Sequence, residues 1–192
     1  SPITINRNQD WKSEESLYKA DLPHLKSNAK AHHFLAQIYH SYGDEASSEA
    51  EKRTFYESAI RLIEEAVSIH PTNEFYHDLH LLYAATSRSE GNKKVLEYLI
   101  ENQPQNAYYN NALGVIHAQQ NDMEAAISHF EIAFNNESTN ADYANNFGLA
   151  LAYFQKLEAA KMVFETGLSY HPENAQLAQN LAITNQQLSE IE

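Results

Sequence analysis

Cysteine is absent from the 192 residues, which excludes disulfides and thiol chemistry and leaves the redox compartment open. Glycine and proline are scarce, five of each. A many-stranded sheet needs frequent turn-formers, so long helices with short connections are expected instead. No apolar run approaches the ~20 residues of a membrane span, and no signal peptide is expected. Cations are also few: 13 Lys and Arg stand against 26 Asp and Glu, a formal charge of −13. That balance disfavours nucleic acid, whose phosphates call for clustered Lys and Arg. It favours a neutral or basic partner, held less tightly as salt rises. Neither a GxSxG elbow nor a Gly-rich phosphate loop occurs, and no constellation for a free-standing enzyme is present.

Against these absences stand 43% hydrophobic and 11% aromatic residues, which suit a folded chain and argue against disorder. A compact chain of this length buries roughly 70% of its unfolded surface. The chain opens on Ser1, which suggests a processed protein or an excised piece of a longer one.

The chain also repeats itself. "YNNALGVIHAQ", Tyr109 to Gln119, returns 34 residues later as "YANNFGLALAY", pairing Tyr109 with Tyr143, Asn111 with Asn145, Gly114 with Gly148 and Ala118 with Ala152. The interval persists in Ala126/Ala160, Phe130/Phe164, Glu131/Glu165, Asn140/Asn174 and in Pro104, Ser138 and Pro172. A fixed period of this size signals a solenoid. Each unit reads as two helices. Tyr108 to Gln119 is one apolar-periodic stretch, and Asn121-Asp122 is the turn. Met123 to Asn135 is the second stretch, with Ala126, Ile127, Phe130, Ala133 and Phe134 on one face.

These residues resemble the tetratricopeptide repeat (TPR), a helix–turn–helix unit of 34 residues. The motif places Leu at seven, a small residue at eight, Ala at twenty and twenty-seven and Pro at thirty-two. Leu113-Gly114, Ala126, Phe130 and Ala133 fit it, as do Phe147-Gly148, Leu151, Ala160, Phe164 and Pro172. The resemblance implies an all-α, right-handed TPR superhelix with units at 29–72, 73–106, 107–140 and 141–174, and a capping helix at 175–192. The unit 73–106 is degenerate, with His80, Asn92 and Leu99 where small residues belong, so altered packing or a register shift is expected there. Between Ala36 and Ala59 the gap exceeds the motif by 11 residues. The excess, about 44–53, is expected as added turns opening a long second helix. The repeat resemblance also explains the mid-helix glycines, which cost roughly 1 kcal/mol each against alanine. Place eight meets the second helix, and only a small side chain lets the backbones approach.

Residues 1–28 are expected to form a capping helix and linker, with Asp10 as N-cap and Trp11, Leu17 and Tyr18 on its apolar side. "RNxxWxxxxxLYxxDL", followed by "SNAKAH", also resembles the junction before the C-terminal TPR tail of PMT/TMTC-like membrane glycosyltransferases. That resemblance implies an extracytoplasmic, non-catalytic tail that recruits or presents the acceptor. Without it, a cytoplasmic module is expected.

In a TPR stack the first helices line the concave face, along places two, five, nine and twelve. Place five reads His33, His77, Asn111, Asn145, Gln179, and place nine reads Gln37, Leu81, Val115, Leu149, Ile183. Place twelve, His40, Ala84, Ala118, Ala152, Gln186, supplies a mostly small floor. Each Asn or Gln presents a donor and an acceptor. A column of them can pair with successive peptide groups, much like the asparagine ladder of some TPR proteins. The expected peptide-binding residues are therefore His33, His77, Leu81, Tyr108, Asn111, Val115, Asn145, Leu149, Gln179 and Ile183. Place two, Lys30, Glu74, Tyr108, Asp142, Gln176, holds a single cation, so a carboxylate-clamping groove is not expected. His33, His40 and His77 would cluster on the first units and could tune binding below pH ~6.5. Ten histidines without HExxH or Cys give no metal site, and no cofactor is expected. Asn136-Glu137-Ser138 is a formal glycosylation sequon of the kind that arises by chance.

Overall fold

The structure, a computed structural model, describes residues 27–191. The expected helix around Trp11 and the junction segment lie outside the described residues. Among those described there are nine α-helices and no strand. They are α1 (Ala29–Asp44), α2 (Glu49–Ile69), α3 (Asn73–Ala85), α4 (Ser89–Asn102), α5 (Ala107–Gln119), α6 (Met123–Asn136), α7 (Ala141–Tyr153), α8 (Leu157–Tyr170) and α9 (Ala175–Ser189). The chain divides into two compact units between Val95 and Leu96, inside α4.

Two local devices recur at the 34-residue step and set the helix ends. The first is the N-cap. Asn106, Asn140 and Asn174 each accept a backbone N–H of the following helix, from Tyr109 (3.1 Å), Asp142 (2.9 Å) and Leu177 (3.0 Å). Asn28 and Thr72 do the same for α1 and α3. Such a cap satisfies an otherwise orphaned donor and contributes about 1 kcal/mol. The second is the turn within each helix pair. Ser87, Asn121 and Gln155 share one motif place and all have left-handed φ, 57°, 61° and 56°. The next residue returns a backbone bond to the preceding helix, Arg88 to Tyr83 O, Asp122 to His117 O and Lys156 to Leu151 O, at 2.8–2.9 Å. This is the Schellman closure, normally built on glycine.

In residues 96–191 the core is a run of small and aromatic side chains. Ala126, Ala144, Ala160 and Phe164 are fully buried, with Phe130 and Phe147 beside them. A β-carbon at Gly114 would lie 2.7 Å from the Phe130 ring, and one at Gly148 would overlap the Phe164 ring. Both glycines therefore sit at the crossing of paired helices, as their spacing predicts. Gly167 serves a third crossing, where a β-carbon would press on Leu177 and Ala144.

In residues 27–95 the first pair is enlarged. Helix α1 has 16 residues against 13 in α5, α2 has 21 against 14 in α6, and the turn between them has four residues against three. The added length is tied down by Tyr56. Its ring covers Gly43 so closely that a β-carbon there would overlap it, and its hydroxyl donates to Asp44 Oδ1 at 2.5 Å. Burial and that carboxylate push the Tyr56 hydroxyl up to about 12. In the degenerate pair, His80 and Asn92 occupy two of the three places where small residues belong, and Leu99, fully buried, occupies the third. His80 and Asn92 are both buried, and His80 Nδ1 donates to Asn92 Oδ1 at 2.7 Å. A polar pair thus replaces the small-residue contact, and the hydrogen bond offsets much of the cost of burying two polar groups.

Candidate functional site

Helices α5, α7 and α9 are the first helices of successive pairs in the second unit. Their neighbouring faces are joined by side-chain amides. Asn146 Nδ2 donates to Asn111 Oδ1 at 2.9 Å, and Asn180 Nδ2 donates to Asn145 Oδ1 at 2.8 Å. Each rung runs from place five of one repeat to place six of the next. All four asparagines are half-buried. Asn111 and Asn145 keep both Nδ2 hydrogens without a partner among the described residues, while Asn146 and Asn180 keep an open Oδ1 lone pair. The rungs therefore fix the orientation of each amide and leave donors and acceptors alternating along the row.

Beside the rungs runs an apolar strip. Leu149 and Ile183 are 44% and 48% exposed, and Tyr153 is 64% exposed. They border a groove of about 390 Å3 between α7 and α9, with Ala152 and Phe164 deeper in its lining and Asn180 at its side. Val115, one repeat earlier, is half-buried and packs on the core, so the strip opens only from Leu149 onward. Tyr108 is 43% exposed and Gln179 is exposed.

The first unit carries an analogous tie of different chemistry. His33 is buried, and its Nε2 donates to Asp78 Oδ2 at 2.7 Å; Gln37 Nε2 donates to the same oxygen at 3.2 Å. Burial alone would raise the Asp78 carboxyl. The hydrogen bonds from His33 and Gln37, with the electrostatic pull of His33 and His77, outweigh it and hold the group below its ordinary value. His33 thus faces α3 rather than open surface. His77 and Leu81 are half-buried on the same α3.

The solved structures that match share this arrangement of helix pairs. A TPR protein, YrrB, described as having an unusual peptide-binding site, superposes with a TM-score of 0.72 at 16% identity, over 90% of this chain and 84% of its own. MamA from Desulfovibrio magneticus RS-1 gives 0.66 at 14% identity, over 84% and 85%. The first TPR of Spaghetti (RPAP3), bound to the HSP90 peptide SRMEEVD, gives 0.55 at 18% identity, over 61% and 93%. The fold is that of TPR proteins. At these identities the likeness extends to the fold alone. No family model matches the chain, and no curated protein sequence does.

Several functional candidates escaped the motif reading. At place six, Asp78, Asn146 and Asn180 make the ties just described, while Phe34 and Ala112 stand there in the other two repeats. The recurrence of Asn146 and Asn180 at 34 residues was a usable signal. A second polar group lies at the α5–α6 crossing. Asn110 is fully buried; its Nδ2 donates to Pro104 O and Asn106 O, both at 2.9 Å, and its Oδ1 accepts from His129 Nδ1 at 3.0 Å. The His129 ring stacks on His117, centroids 5.6 Å apart, and His117 Nδ1 donates to Asp122 at 3.1 Å. Burial, reinforced by His117, depresses the His129 imidazole below its ordinary value. No group of three His, Asp or Glu residues that could hold a metal occurs among the described residues. No described helix is long and apolar enough to cross a membrane.

Proposed function

We propose that this chain is a non-catalytic TPR interaction module that holds an extended peptide, or an extended segment of a partner protein, along the face of α5, α7 and α9. One observation carries the reading: the amide rungs lie beside an exposed apolar strip. An extended peptide presents one N–H and one C=O per residue, and the Nδ2 groups of Asn111 and Asn145, with Oδ1 of Asn146 and Asn180, offer the complementary groups at repeated intervals. Leu149 and Ile183 supply the apolar contact. Tyr108 and Gln179 lie on the same helices; within the first unit, His77 and Leu81 are proposed as contacts of their own, with buried His33 orienting Asp78 beside them. The formal charge of −13 favours a neutral or basic ligand. YrrB and the RPAP3 domain, described by their peptide-binding site and bound peptide, support the general role.

The finer alternative is the extracytoplasmic tail of a membrane glycosyltransferase. It rests on the Arg7–Leu22 segment and is compatible with the first, since such a tail would recruit its acceptor by binding. Peptide-array binding tests the main reading. Wild type should bind a subset of peptides, and Asn111→Ala/Asn145→Ala should lose most of that signal. Equal binding by the two proteins refutes the ladder.

A further inference from the structure

The groove between α7 and α9 is more specific than a generic peptide track. Every residue lining it is uncharged. Leu149, Tyr153 and Ile183 leave apolar surface to water at its rim, while Ala152 and the Phe164 edge form its interior. Its volume, about 390 Å3, lies at the low end for ligand cavities, the scale of one bulky side chain rather than a cofactor. Asn180 belongs both to this lining and to the rung with Asn145. A peptide unit bonded to that rung therefore has its own side chain directed at the groove beside it.

Resting on the peptide-binding reading, we infer that the α7–α9 groove is a side-chain pocket for one large uncharged apolar residue, aliphatic or aromatic, placed inside an extended segment rather than at its C-terminus. A charged side chain would lose hydration there without gaining a partner. A terminal carboxylate would find no cation, because none lines the groove. The rung holds the backbone on one side of the anchor and the pocket selects the residue. Backbone pairing alone would bind without choosing a sequence, so the pocket supplies the selectivity.

Panning a phage-displayed random peptide library against the full chain tests this. Enriched peptides, resynthesised with amidated C-termini, are titrated by fluorescence anisotropy against wild type, Ile183→Asp, Leu149→Asp and Asn145→Ala. The two Asp variants change exposed positions, and circular dichroism verifies their fold. Peptides sharing one internal Leu, Ile, Met or Phe are expected. Changing that residue to Ala, or using Ile183→Asp, should weaken binding about tenfold or more, the scale of one lost buried side chain. Amidation should leave affinity unchanged. Peptides that bind the Asp variants as well as wild type, or that need a free carboxylate, overturn the pocket; if Asn145→Ala still weakens them, the peptide-binding face stands. Failure to enrich any peptide overturns both.

Discussion

Replacing Gly148 with alanine tests the helix crossing at its tightest point. The added methyl would sit 2.6 Å from Phe164 Cζ and nearer still to Cε1. Phe164 is fully buried among Ala126, Ala144 and Ala160, so on the core side its ring has no room to yield and must push toward the α7–α9 groove it lines. Two effects oppose each other. Alanine is the better helix former by about 1 kcal/mol. Overpacking a filled core costs about 1–3 kcal/mol, and overlap with a ring this deeply held belongs at the upper end. The net expectation is a loss of about 2 kcal/mol, or a fall in Tm of about 4–8 °C for a chain of this size. Urea unfolding followed by circular dichroism should show a lower midpoint at unchanged slope. Phe164→Leu makes room for the methyl, so Gly148→Ala/Phe164→Leu should cost less than the two single changes added together. A Gly148→Ala protein more stable than wild type would mean that propensity alone governs the site, and the crossing would be wrongly placed.

Three further outcomes are expected. Gln155 adopts left-handed φ without being glycine, so Gln155→Gly should relieve strain of about 1–2 kcal/mol, less the entropy glycine adds to the unfolded chain; a net gain of about 0.5–1 kcal/mol in urea unfolding is expected, and a loss would contradict the turn geometry. His80 and His129 are both held below their ordinary value, chiefly by burial, so the unfolded chain takes up protons first as pH falls. Their contribution to stability is complete above the unfolded value of about 6.5 and is lost progressively below it, so Tm should fall between about pH 7 and about pH 5; a Tm that is flat or rises on acidification refutes this. The Asn145–Asn180 bond should couple the two residues by about 1 kcal/mol in a double-mutant cycle to alanine, and additive single effects would show that the rung does not form in solution.

The helical class and the role of the small residues were legible because both depend on spacing. A glycine repeating at 34 in an amphipathic stretch has few explanations, and Gly114 and Gly148 lie where that spacing puts them. The asparagines closing each repeat proved to be N-caps, a role their position allows. The turn residue was hidden, because Ser87, Asn121 and Gln155 share a conformation but no chemistry. The candidate site was half legible. Place five was visible as a polar column, yet its partners at place six sit on the first helix of the next repeat, 35 residues along for the asparagines and 45 for His33. A column read alone looks solvated; the contact that orients it is tertiary. The His80–Asn92 and Asn110–His129 pairs were hidden for the same reason, since each polar residue breaks the motif alone and makes sense only with its partner.

Whether a ligand is recognised on the α5–α7–α9 face can be read from side-chain amide NMR. Asn, Gln and methyl resonances of the labelled full chain would be followed during titration with a peptide enriched from the library. The Asn111, Asn145 and Asn180 amides and the Leu149 and Ile183 methyls are expected to shift together, with one saturating affinity. Shifts gathered instead on α6 and α8, with those residues unmoved, would contradict recognition on that face.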